Sequence, residues 1–145
     1  MVVLSTRAAR TAAEVRLAEP TLKTSSELPG VRAWVTMMLV PGIETAVALT
    51  VDYTKQRKAF GQTLADFQNT RFKLAEMRTE IEIGQAYVDR CLQLVLQREL
   101  APEAAAAAKY WCSDLQCKVM DECVQLFGGY GYMWEYPITR AYADA

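Results

Sequence analysis

Two short stretches carry the residue types that could bind a ligand. In Gln125-Leu126-Phe127-Gly128-Gly129-Tyr130-Gly131-Tyr132, three glycines follow a helical run and a lone amide side chain sits just ahead of them. Glycines so placed let the backbone approach a ligand closely, or simply end a helix at no steric cost. Arg57-Lys58-Ala59-Phe60-Gly61-Gln62 lies upstream. A guanidinium fork suits phosphate or carboxylate oxygens, and a phenyl ring suits a flat group. Taken singly, the glycines read as a helix stop and the Arg-Lys pair as solvated charge. Taken together, the residue types suit an anion and a flat ring. A dinucleotide fingerprint is excluded, because no strand pattern precedes the glycines.

Composition removes other chemistries. The 145 residues include no histidine, which rules out Ser-His and Cys-His nucleophile pairs, His-ligated metals and the Glu-x-x-His pattern of di-iron bundles. With 16 basic against 17 acidic residues the net charge is -1, so nothing marks a nucleic-acid or anionic-membrane partner. Cys91, Cys112, Cys117 and Cys123 lack Cys-x-x-Cys spacing and fall on helical patterns. They read as reduced core thiols in a reducing compartment.

The elements that must position these residues are helices. Residues 1 to 28 mix Ser, Thr, Pro and charge without a sustained period, and read as an irregular, unassigned arm. Within it Arg7, Arg10 and Arg16 are offset by Glu14 and Glu19, and no apolar run marks a secretory signal. Residues 29 to 145 read as one bundle. A helix is predicted from Pro41 as N1, with Ile43, Val47, Thr50 and Thr54 on one side and Lys55, Arg57 and Lys58 at its end. Residues 33 to 51 carry one charge, Glu44, yet Pro41-Gly42 and that glutamate argue for a buried helix rather than a membrane span.

Thr63 and Asp66 form a capping-box pattern that predicts the start of a second, long amphipathic helix. Its apolar face runs through Leu64, Phe67, Leu74, Met77, Ile81, Gly84, Val88, Cys91, Leu92 and Val95, and Lys73, Glu76, Glu80 and Arg90 face water. A third helix follows Ala101, with Ala104, Ala108, Trp111, Leu115, Val119 and Leu126 as core, and ends at Gly128 and Gly129. A further helix is predicted after Pro137. Strand alternation is absent from the pattern, so the fold class is all-α: an antiparallel up-and-down helical bundle.

The order Arg57-Lys58-x-Phe60-Gly61-Gln62, then Phe67-Gln68, then Gln125-x-Phe127-Gly128-Gly129-x-Gly131-Tyr132, then Glu135-Tyr136-Pro137 resembles the C-terminal domain of the acyl-CoA dehydrogenases. The resemblance covers about residues 43 to 145 and is strongest to the long-chain and isovaleryl-type members. It implies an FAD-dependent oxidoreductase acting on the CH-CH group of an acyl-CoA thioester, with the domain making dimer or tetramer contacts. An electron-transferring flavoprotein is the implied acceptor, and bacterial cytoplasm or mitochondrial matrix the implied location. Carried over by motif, Arg57 would lie near the flavin pyrophosphate, Phe60 would pack on the cofactor and Gln68 would sit beside it. Gln125, Gly128 and Gly129 would receive the adenosine diphosphate part from a neighbouring subunit.

The family's reaction needs a carboxylate to remove the α-proton. In most members this base follows the helix that closes the present sequence; in long-chain and isovaleryl-type members it precedes an arginine early in the first helix. Counting back from Arg57 places Val31 of Leu28-Pro29-Gly30-Val31-Arg32 at that position. Glu44 lies thirteen positions further on, about 20 Å along a continuous helix, and cannot substitute. The expectation is therefore a fragment or frame-disturbed product without the catalytic base, inactive alone. The alternative is a non-catalytic oligomerisation or interaction module derived from the same family. A soluble bundle without bound cofactor would expose aromatic surface around Phe60, Phe127 and Tyr130 and self-associate through it.

Overall fold

A computed structural model describes the backbone of residues 28–145 and the side chains of residues 39–145. The arm expected over residues 1 to 28 thus falls, save its last residue, outside the described part. Four helices follow: α1 (Leu28–Gln56), α2 (Gln68–Leu96), α3 (Pro102–Phe127) and α4 (Pro137–Ala143). Between α1 and α2 lie strands β1 (Lys58–Ala59) and β2 (Gln62–Thr63) and a 3-10 turn over Leu64–Asp66. A second 3-10 turn, Gly128–Tyr132, joins α3 to α4. The expected all-α bundle is the fold observed.

α1 starts earlier than its sequence suggests. The helix predicted from Pro41 begins at Leu28, with Pro41 inside it. An interior proline removes one backbone hydrogen bond, but packing outweighs local preference here. Val40 and Ile43, on either side of Pro41, are fully buried, and Ala46, Val47, Thr50 and Thr54 continue the same stripe. The buried hydroxyls stay satisfied within the helix: Thr50 donates to the Ala46 carbonyl at 2.8 Å and Thr54 to that of Val51 at 2.9 Å.

α3 lies along α1, and α2 packs against both. Met77, Ile81 and Val88 of α2 meet Cys112, Leu115, Val119, Met120 and Cys123 of α3 around the α1 stripe. α2 and α3 come close at Gly84, where an added Cβ would stand 3.2 Å from both Leu115 and Trp111. Two expectations for charged and thiol side chains change. Lys73 and Glu80 do not merely face water: Lys73 pairs with Glu122, and Lys118 of α3 bonds Glu80 at 2.5 Å and Glu76 at 3.3 Å. Cys117 is exposed, whereas Cys91, Cys112 and Cys123 are buried free thiols, because position 117 falls on the solvent side of α3.

The Thr63-Asp66 box caps the 3-10 turn, not α2 itself, which starts at Gln68. Asp66 accepts hydrogen bonds from the Thr63 hydroxyl at 2.7 Å and the Thr63 amide at 3.0 Å, and these, the hydroxyl foremost, hold its carboxyl below the ordinary range. The β1-β2 hairpin was not expected. Two-residue strands are too short to show alternation, and its register, Lys58 opposite Thr63 and Ala59 opposite Gln62, is set by the turn at Phe60-Gly61. Both turn residues have positive φ, 51° and 83°, as a type I′ turn requires.

Candidate functional site

The ends of α1 and α3 meet at one edge of the bundle. Tyr53, in the last turn of α1, stacks on Phe127, the last residue of α3, with centroids 4.0 Å apart and planes 12° from parallel. Four residues after Tyr53 comes Arg57, whose amide donates to the Tyr53 carbonyl at 2.8 Å. Directly after Phe127, Gly128 ends α3 at φ 61°, ψ -135°, a conformation open to glycine alone. The chain then turns through Gly129, Tyr130 and Gly131 back over the stack. Tyr136 joins it edge-on to both Tyr53 and Phe127, and Tyr130 stacks on Tyr136 at 5.1 Å.

A groove of about 540 Å³ opens above this aromatic cluster. Arg57, Gln125, Phe127, Gly128 and Gly129 line it, and Tyr53, Leu64, Leu126, Tyr130 and Met133 complete the lining. A Cβ at Gly128 or Gly129 would meet nothing within 4 Å, so both glycines keep open space. Gly131 has a different task. Its Cβ would lie 2.6 Å from the Val124 carbonyl oxygen, so its lack of a side chain lets the turn pack on α3. Thr139 pins the same turn by donating to the Gly131 and Met133 carbonyls, each at 2.8 Å.

The electrostatics favour an anion. Arg57 lies over the Tyr130 ring at 5.1 Å and takes part in none of the ion pairs among the described residues. No carboxylate lines the groove. Burial raises the Tyr53 hydroxyl above its ordinary value, against the opposing pull of Arg57. The hydroxyl therefore stays protonated and donates to the Phe127 carbonyl at 3.3 Å.

Of the residues singled out from sequence, the structure brings Arg57, Gln125, Gly128 and Gly129 together on this groove. Gln68 lines another groove, of about 490 Å³, with Asp66, Arg71 and Phe72. Phe60 is 98% exposed at the hairpin tip and lines neither. Phe127, expected on the exposed surface, is buried at 6% by its stack on Tyr53. Val31 lies within α1, its side chain outside the described residues. Glu44 lines a separate groove between α1 and α2, 3.9 Å from Arg78. Among the described residues no three His, Cys, Asp or Glu side chains cluster as a metal site, and no helix is long and apolar enough to cross a membrane.

Sequence reasoning missed Tyr53 and the second role of Tyr130. Tyr53 stands one helical turn before Arg57, a spacing that places both on one side of α1, but its stacking partner is 74 positions away.

The family model for the acyl-CoA dehydrogenase C-terminal domain matches residues 23–145. The chain is 51% identical over 119 residues to the mitochondrial long-chain specific acyl-CoA dehydrogenase of Sus scrofa, covering 82% of this chain and 28% of that protein. Its fold matches an acyl-CoA dehydrogenase from Geobacillus kaustophilus with a TM-score of 0.79 at 39% identity, over 81% of this chain and 31% of the other. A structure described as the electron transferring flavoprotein of Acidaminococcus fermentans, with flavin-based electron bifurcation, contains a chain matched with a TM-score of 0.77 at 37% identity, over 81% of this chain and 31% of that one. The present chain thus spans under a third of the length of these relatives.

Proposed function

The chain belongs to the acyl-CoA dehydrogenase family, and we propose that it is the cofactor-holding helical part of an FAD-dependent enzyme oxidising the CH-CH group of an acyl-CoA thioester. The observation that carries this is one groove shared by Arg57, Gln125, Gly128 and Gly129.

The groove suits the adenosine diphosphate half of FAD. Arg57, free of carboxylates among the described residues, would take diphosphate oxygens, and the Gln125 amide can both donate to and accept from adenosine. The open space at Gly128 and Gly129 leaves room for close approach. Since Arg57 and Gln125 face one groove, they serve the same cofactor. Phe60 and Gln68 lie outside it, and would contact FAD where the cofactor extends across to another copy. A homo-oligomer, dimer or tetramer, is the assembly that this arrangement favours.

Bound FAD supplies the acceptor for the hydride that leaves the thioester's β-carbon as the α-proton is removed. The chain's own residues in the groove bind and orient; with no carboxylate on it, the groove does not abstract the proton. Likeness to the Acidaminococcus chain supports an electron-transferring flavoprotein as acceptor, and the relatives support a mitochondrial matrix or bacterial cytoplasmic setting.

A titration tests the reading. Purified chain that carries yellow flavin, or quenches added FAD fluorescence with loss of the effect in Arg57→Ala, supports it. The second reading, a non-catalytic oligomerisation module, rests on exposed Phe72, Tyr110, Tyr132 and Trp134. A colourless, stable oligomer that leaves FAD fluorescence unchanged would favour the module and sink the cofactor reading.

A further inference from the structure

Arg57 is a long, exposed side chain just beyond the end of α1, where free rotation would make any bound anion restrain it from scratch. The structure removes much of that freedom. Tyr130 carries the guanidinium at 5.1 Å from its ring centroid, while Tyr130 itself is half-buried and stacked on Tyr136 at 29° between planes. Tyr136 is fixed in turn by its edge contacts with Phe127 and Tyr53. The backbone of the turn is tied down too: the Met133 amide donates to the Tyr130 carbonyl at 3.1 Å, and the Tyr136 amide to Met133 at 3.0 Å.

A ring face restrains a guanidinium differently from a carboxylate. It attracts the cation while leaving the charge uncompensated, so the attraction for a phosphate anion survives. We propose that Tyr130 is a positioning residue for the anion site: it pre-orders Arg57 in the groove it shares with Gly128 and Gly129, so that Arg57 meets a diphosphate with less loss of side-chain freedom. This rests on the reading of the groove as the site for the adenosine diphosphate half of FAD. Tyr130 acts through Arg57, so its effect must vanish when Arg57 is absent.

The test is calorimetric titration of ADP into the 145-residue chain, in wild type, Tyr130→Phe and Tyr130→Leu, each with Arg57 present and with Arg57→Ala. With Arg57 present, Tyr130→Leu weakens ADP binding by about two- to fivefold, the size of an exposed cation–π contact, and Tyr130→Phe restores it. In the Arg57→Ala background the three residues at position 130 give equal affinity. Equal ADP affinity for wild type and Tyr130→Leu, or an undiminished effect without Arg57, overturns the positioning role alone. Absence of any ADP binding by wild type overturns the cofactor reading and this role with it. A measurement that needs no variant guards against misfolding: Arg57 side-chain methylene protons lacking an upfield ring-current shift in wild type would overturn the contact.

Discussion

Tyr53 and Phe127 stack face to face at 4.0 Å, joining the last turn of α1 to the last residue of α3 where the groove residues leave both helices. This contact fixes the spacing between Arg57 and Gly128-Gly129, which line the same groove. Stacked aromatic pairs contribute about 0.5–1.5 kcal/mol beyond the area they bury. Tyr53→Leu is expected to lower the unfolding free energy by about 1–2 kcal/mol in urea and to weaken ADP binding. Tyr53→Phe keeps the stack and removes a single hydrogen bond, at a cost of about 1 kcal/mol or less. Equal losses for the two variants would show that the hydroxyl, not the ring, holds the ends together.

The glycines of the turn separate by substitution. Gly131→Ala drives a methyl to 2.6 Å from the Val124 carbonyl and 2.9 Å from its Cγ1, so a stability loss of about 1–3 kcal/mol is expected. Gly129→Ala meets nothing within 4 Å and should change stability by under about 0.5 kcal/mol while narrowing the groove, so that ADP affinity falls. Thermal unfolding with parallel ADP titrations checks both. A stable Gly131→Ala protein would refute the packing role assigned to that residue.

Phe60 combines near-total exposure with φ 51°, a strained backbone for a bulky side chain. Asn is the residue that a type I′ turn prefers ahead of glycine. Phe60→Asn should therefore raise stability by about 0.5–1 kcal/mol and, if Phe60 packs on the cofactor, lower FAD affinity without changing ADP affinity. Denaturation and the two titrations read these effects apart. Loss of stability in Phe60→Asn would mean that the ring contributes to folding of the free chain.

Much of this was legible in the sequence where one local rule decided the outcome. The stripe of Ile43, Val47, Thr50 and Thr54 is buried as its period predicts, and α3 begins and ends where Pro102 and Gly128 say it should. Four of the six candidate ligand residues meet because two motifs lie at the ends of adjacent helices. What sequence did not show depends on long-range packing. Burial of Val40 beside Ile43 carries α1 through Pro41, and the Tyr53-Phe127 stack buries a ring that its own motif would leave exposed.

Cys112 offers a pH dependence with a definite direction. Burial, with Cys91 adding to it, pushes its thiol from 9.0 up to about 11. Between these values the unfolded chain has lost the proton that the folded chain keeps, so stability falls as pH rises. The contribution is fully present below about pH 9 and is lost as pH approaches about 11, roughly 2–3 kcal/mol in all. Urea midpoints from pH 8 to 11 should fall less steeply in Cys112→Ala than in wild type. Native alkylation at pH 8 should label exposed Cys117 and spare Cys112. Parallel pH slopes for the two proteins would remove Cys112 from the account.

Pro41 decides between two starts for α1. If the helix began at Pro41, the proline would occupy N1, where its fixed φ helps and its missing amide costs nothing, and Pro41→Ala would be neutral or slightly destabilising. In the structure Pro41 is interior to Leu28–Gln56, where proline costs about 3 kcal/mol relative to alanine. Pro41→Ala is therefore expected to raise the unfolding free energy by about 1–3 kcal/mol and to increase helical circular dichroism, since the restored amide completes the hydrogen-bond ladder. Thr45, which donates to the Pro41 carbonyl at 2.8 Å, keeps that bond to an alanine carbonyl, so nothing is lost in exchange. An unchanged or lower urea midpoint in Pro41→Ala would place the true start of the helix at residue 41.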